Sequence, residues 1–232
     1  MRPRPARDGF RARMGGTHFP AFPALSPDTV LNELRLTTRP EHARIESMLR
    51  LDEPMTLERY AAVIAGFDAF ARAWEPRVQA ALPERLQHWF RARWRGGLAS
   101  ADLEWLRDVA GIVPAPADPA PVARLRLAEL PELLGSIYVI EGSALGGQVI
   151  APHLKATLGL GAGHGASWFH GFGGEAATMW RDFRVLAALE IGESSKATVR
   201  ACRSAKRTFG ALIEIFAPLG ALTLPDIGAP AA

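Results

Sequence analysis

The sequence of 232 residues has one cysteine, Cys202, so no intrachain disulfide staples it and no cysteine pair can hold zinc. That usage fits a reducing compartment, and the cytoplasm is the expected location. Long apolar runs are also missing, and none reaches the ~18 residues of a membrane span. Residues 1–25 lack the continuous apolar core of a secretory signal, and Pro3, Pro5, Pro20 and Pro23 break any helix there. No alternating pattern of useful strand length appears, and no internal repeat. A helical protein without a membrane span is what these absences leave.

Charge of one sign is scarce outside the leader. The formal net charge is +3, yet residues 1–13 hold Arg2, Arg4, Arg7, Arg11 and Arg13 against Asp8, a net +4, which leaves −1 for the rest. The basic balance therefore belongs to an Arg/Pro-rich leader over 1–25, expected to be disordered, and gives no argument for nucleic-acid binding. Met14 offers a second start that would remove the cluster. Hydrophobic residues at 48% and charged ones at 22% are ordinary for a globular chain, and the length suits one domain, placed at 26–219 with a flexible tail over 220–232.

Helical spacing runs through that domain. Ser26-Pro27-Asp28 is a helix start, and Leu31, Leu34, Thr38, His42, Ile45 and Leu49 follow at 3-4 spacing, predicting a helix over 27–50 with His42 on its buried stripe. Thr38-Arg-Pro-Glu41 is a capping-box pattern, so a bend or restart is expected near Thr38. A second helix begins at Thr56 and ends before Pro83, a third covers 84–95 and stops at Gly96-Gly97, and a fourth starts at Ser100 and ends at Gly111. The proline-rich stretch 114–121 is a connector. Helices over about 131–158, disturbed at Pro152, then 174–190 and 194–217 complete an all-α chain, with a glycine-rich loop over 159–165.

The 131–158 helix carries three glycines that do not belong in an ordinary helix. Gly142, Ser143, Gly146 and Gly147 fall within an arc of about 140° on one face, extended by Val139 and Ile150. Each glycine costs about 1 kcal/mol against alanine there. Either another helix packs closely on that bare face, or a flat ligand lies against it; spacing alone favours close packing.

Histidine placement narrows the chemistry. His18, His164 and His170 lie in Gly- or Pro-rich segments and His88 in a Trp-rich helix, whereas His42 combines an apolar stripe with an acid, Glu46, one turn later. A lone histidine on an apolar stripe is more often a core residue than a ligand. No His-Glu-x-x-His, no nucleophile elbow after a strand and no dinucleotide loop is present, and Glu41-His42-Ala-Arg-Ile-Glu46 lacks the paired Glu-x-x-His of a di-iron site.

Three segments resemble one family in the correct order. Leu34-Arg-Leu-Thr-Thr-Arg-Pro-Glu-His-Ala-Arg-Ile-Glu46 resembles the proximal helix of heme oxygenases. Tyr138-Val-Ile-Glu-Gly-Ser-Ala-Leu-Gly-Gly147 resembles their distal helix, closest to bacterial members often encoded beside phytochromes, and Ala205 to Phe216 is similar to the last helix. The resemblance implies a single-domain, multi-helix fold with heme sandwiched between proximal and distal helices. It reverses the preference for close packing at the glycines.

The resemblance also implies roles. His42 binds the heme iron as a neutral imidazole, and Glu46 holds the other ring nitrogen or its water. Gly142, Ser143, Gly146 and Gly147 form the oxygen side, where missing Cβ atoms let backbone approach O2. Arg35, Tyr138 and Arg184 partner the propionates, with Arg39 and Arg181 in reserve; Thr38 and Val139 line the site, as do Phe209 and Phe216. The implied reaction opens heme, both cofactor and substrate, to biliverdin, carbon monoxide and ferrous iron. It uses O2 and an external donor such as ferredoxin, with a phytochrome as acceptor of the product. Ser143 departs from the aspartate many members carry after the first distal glycine, which places the distal water network and the choice of meso carbon in question. A heme carrier without turnover is the rival, and a non-heme enzyme using Glu141 a further one.

Overall fold

The computed structural model describes residues 28–221, so the leader, the Ser26-Pro27 cap and nearly all of the tail lie outside it. Nine α-helices occur among the described residues: α1 (Asp28–Leu49), α2 (Leu57–Ala81), α3 (Glu84–Arg91), α4 (Gly96–Asp108), α5 (Ala120–Ala123), α6 (Leu130–Leu158), α7 (Ser167–His170), α8 (Ala176–Ile191) and α9 (Ser195–Ala221). No strand occurs among them, only isolated bridges from Gly161 to His164 and Gly165. The all-α expectation holds.

α1 is one helix rather than a restarted pair. It runs through Pro40, and Thr38 turns its hydroxyl back onto the Leu34 carbonyl at 2.7 Å instead of capping a new start. The third and fourth helices also differ from expectation. Gly96 and Gly97 do not end a helix; they open α4, because Glu75 of α2 accepts from Arg95 N at 2.6 Å and Gly96 N at 3.0 Å. A carboxylate on another helix thus satisfies amides that a local cap residue would otherwise take. Inside the proline-rich connector, α5 makes one turn, and Arg77 of α2 holds the carbonyls of Val122 and, at 2.9 Å, Leu125. α7 is a turn that periodicity did not register; Asp102 caps it by accepting from Ser167 N at 2.7 Å and Trp168 N at 2.8 Å.

α6 starts in a reciprocal capping box between Glu129 and Glu132, continues through Pro152 and ends at Gly159, which takes the left-handed conformation (φ 71°). It is long and apolar enough, by length and composition, to cross a membrane, although no single unbroken apolar run does so. Here it packs on α9, α8 and α7. α1 packs on α9 and α8. Both α1 and α6 therefore lean on α9, and this shared support is what leaves a cleft between them.

The α6–α9 contact needs a bare backbone. A Cβ on Gly135 would lie inside the van der Waals envelope of the Ala201 carbonyl, and beside it Ser136 joins Thr208 at 2.7 Å and accepts from the Trp74 indole at 2.8 Å. Gly135→Ala gains about 1 kcal/mol of helix propensity, but backbone cannot yield as a side chain can. The expected outcome is a net destabilisation of about 1–3 kcal/mol, read from urea unfolding midpoints at constant slope. Unchanged or raised stability would contradict the close approach.

Candidate functional site

The α1–α6 cleft has a volume of about 610 Å³, within the range that small-molecule and cofactor sites occupy. Arg35, Thr38, Arg39, His42, Ile45 and Glu46 line it from α1. Tyr138, Val139, Gly142, Ser143, Gly146 and Ile150 line it from α6, Phe209 and Leu212 from α9, and Phe67, Trp168 and Phe169 close its inner end.

His42 does not sit in the buried stripe of α1. Val30, Leu31, Leu34, Thr38, Ile45 and Leu49 make that stripe, while the His42 side chain is 57% exposed and faces the cleft. Its Nδ1 lies 3.2 Å from Glu46 Oε2, one helical turn on, and the edge of Phe209 contacts it at a ring separation of 5.8 Å. A carboxylate at Nδ1 leaves Nε2 as the ring nitrogen free to bind a metal.

Across the cleft the three glycines divide. A Cβ on Gly146 would meet nothing within 4 Å, and one on Gly142 would only touch Trp180 at 4.0 Å. Gly147 differs, since a Cβ there would collide with the Phe169 carbonyl. Close packing, favoured from spacing alone, therefore applies to Gly147, and open backbone toward the cleft applies to Gly142 and Gly146. Gly147 lies outside the cleft lining.

Two further expected site residues lie outside the cleft lining. Phe216 is fully buried in the core, packed edge-on against Phe67 at 4.9 Å and filling the space left by Gly66, one layer behind the cleft wall. Arg184, half-buried on α8, is not among the lining residues, whereas Arg35 and the reserve Arg39 are. Burial pushes the Tyr138 hydroxyl above its ordinary pKa, against a hydrogen bond with Thr38 and the nearby Arg35 charge.

Sequence reasoning missed Arg95, Trp168, Trp180 and Phe67. Trp94-Arg-Gly-Gly97 reads locally as a helix stop, and nothing in it signals that Arg95 crosses to α6. Glu141, the nearest carboxylate for a non-heme site, is buried behind α6 beside Arg93 (3.6 Å), and burial pushes its carboxyl up to about 7 despite Arg93 and Arg95. Among the described residues, no group of three or more His, Cys, Asp or Glu side chains could hold a metal ion. A second depression, about 740 Å³, lies behind α6 against Lys155, His164 and His170. It is larger, but Arg35 and Arg39 do not line it, whereas the α1–α6 cleft sets His42 and both arginines on α1 opposite Gly142 and Gly146 of α6.

The donor set fits heme: one imidazole, an apolar slot, an open facing backbone and guanidinium groups to meet carboxylates. Fold and cleft thus define a protein that is all-helical over the described residues, with a cleft between two helices whose shape suits a planar ligand. The heme oxygenase family model matches residues 28–218, and the chain belongs to that family of enzymes, which act on heme with O2. Among solved structures, the NO- and CO-bound heme oxygenase from Neisseria meningitidis is similar in fold, with a TM-score of 0.64 over 87% of this chain and 99% of that one at 20% identity. No curated protein matches.

Proposed function

We propose that this chain opens heme to biliverdin, carbon monoxide and ferrous iron, drawing electrons from an external donor such as a ferredoxin. The observation that carries this reading is His42 facing the bare backbone of Gly142 and Gly146 across one slot. Heme supplies the iron that activates O2 and the ring that is oxidised. Glu46 fixes the tautomer and orientation of His42, so that Nε2 is presented to the cleft. Phe209 limits rotation of the imidazole by edge contact. Arg35 and Arg39, exposed at the rim, meet the propionates and set the ligand's rotation in the slot, with Tyr138 beside them. Gly142 and Gly146 keep side chains out of the oxygen side, and Ser143 offers it a hydroxyl.

The distal motif's likeness to members encoded beside phytochromes supports a supply role, with biliverdin passed to a phytochrome in the cytoplasm. A heme carrier would use His42 and the arginines equally, but it has no need of an open distal helix. One absorption series separates the two. Hemin-loaded protein given ascorbate or reduced ferredoxin in air is expected to lose its Soret band as a biliverdin band rises. A Soret band that persists through the incubation would leave the carrier reading in place of the enzyme.

A further inference from the structure

Arg95 occupies an unusual position for a surface-sized cation. It is 3% exposed, and burial holds its guanidinium down to about 10 even with Glu141 and Glu75 nearby. The guanidinium lies 4.4 Å from the Trp168 ring centroid and lines the cleft. Its Nη2 donates to the Ile140 carbonyl at 3.0 Å and to Ser143 Oγ at 2.7 Å. Both ends of this arrangement are fixed from elsewhere: Glu75 holds the Arg95 amide, and Asp102 holds the Trp168 amide. Burying a guanidinium is costly unless its donors are well used, so this setting at the cleft wall requires an account.

Hydrogen-bond chemistry gives one. Guanidinium has no acceptor, so Ser143 Oγ must accept from Arg95 and its own proton must go elsewhere. That proton reaches the Ile140 carbonyl at 2.8 Å. The same carbonyl already takes Arg95, and in an α-helix it also accepts from the amide four residues on. Three donors therefore compete for two lone pairs, and the Ser143 hydroxyl is the one that can turn away at least cost. Accepting a charged donor also strengthens that hydroxyl as a donor in its own right.

We propose that Arg95 is a positioning residue which, by gripping Ile140 O and Ser143 Oγ together, holds the α6 backbone in place and presents the Ser143 hydroxyl as the hydrogen-bond donor of the distal side. This deepens the heme oxygenase reading and rests on it. It explains how a serine can stand where many family members carry an aspartate: a cation from another helix supplies the polarisation. Lysine keeps the charge, but its shorter side chain does not carry a nitrogen to the Nη2 position and lacks the planar group that lies over Trp168.

The test has a heme-free and a heme-bound arm, using full-length protein. In the apoprotein, Arg95→Met is expected to raise amide hydrogen exchange at residues 141–147 by about tenfold, with α2 and α9 unchanged. In the ferric hemin complex, losing a donor toward a bound hydroxide should raise the midpoint of the alkaline spectral transition by about one pH unit in Arg95→Met and by a similar amount in Ser143→Ala. Arg95→Lys should fall between Arg95→Met and wild type, and Arg95→Lys/Ser143→Ala should shift no further than Ser143→Ala alone. Full restoration by lysine, additive shifts, or an unmoved midpoint in Ser143→Ala would each overturn the proposal. Should Arg95→Met fail to fold, the lysine and serine variants carry the same comparison. Hemin uptake, read from the Soret band, reports separately on the heme oxygenase reading.

Discussion

His42→Ala is expected to abolish biliverdin formation, at least about 100-fold in rate, which corresponds to roughly 2.7 kcal/mol of lost transition-state stabilisation. The fold should hardly notice. The side chain is 57% exposed, and its polar contact within the chain is with Glu46, itself exposed, so unfolding stability should stay within about 0.5 kcal/mol of wild type. Hemin uptake should also survive, because the apolar walls contributed by Val139, Ile150, Phe209 and Leu212 supply most of the burial. Added imidazole, entering the space that the ring leaves beside Phe209, should restore part of the activity. Wild-type turnover in the variant without imidazole would exclude His42 as the axial ligand.

Much of this architecture was legible in the chain because helix-forming periodicity is local. The 3-4 spacing on α1, the apolar face of α9 and the capping residues of α2 all act within a turn or two, and their bounds fall within a few residues of expectation. What was illegible depended on distant partners. Gly96-Gly97 opens α4 only because Glu75 reaches it from α2, and α7 is capped by Asp102 of α4, 65 residues earlier in the chain. His42 looked like a stripe residue because periodicity gives angle around a helix but not what faces that angle. It lies at the edge where α1 turns from core to cleft.

The small-residue face of α6 shows the same limit more sharply. Gly142, Gly146 and Gly147 are identical in propensity and share one arc of about 140°, with Gly147 at its far edge, so one assignment for all three fails for one of them. The neighbours decide: the Phe169 carbonyl crowds Gly147, while nothing crowds Gly146. Phe209 and Phe216 separate in the same way, since two turns along α9 are enough to move a phenylalanine from the cleft wall into the core.

Gly146→Leu turns that distinction into the second large effect. The substitution adds four carbons at a point where a Cβ meets no protein atom within 4 Å. Helix propensity then acts almost alone, and the apoprotein is expected to gain about 0.5–1 kcal/mol. Had Gly146 been packing space like Gly135, overpacking would instead cost about 1–3 kcal/mol. The sign of the change in apoprotein melting temperature therefore reports which environment the glycine has, without reference to heme. Hemin should still bind, since His42, Arg35 and Arg39 are untouched on the opposite wall. Biliverdin formation should collapse, because the leucine occupies the distal volume that the missing side chain keeps for O2 and its hydrogen-bonded water. Oxidising equivalents would then be diverted to peroxidase-like products. Melting of the apoprotein and product analysis after a single turnover are the paired measurements. A destabilised apoprotein that still yields biliverdin at the wild-type rate would remove Gly146 from the oxygen side and, with it, the feature that separates an oxygenase cleft from a carrier's.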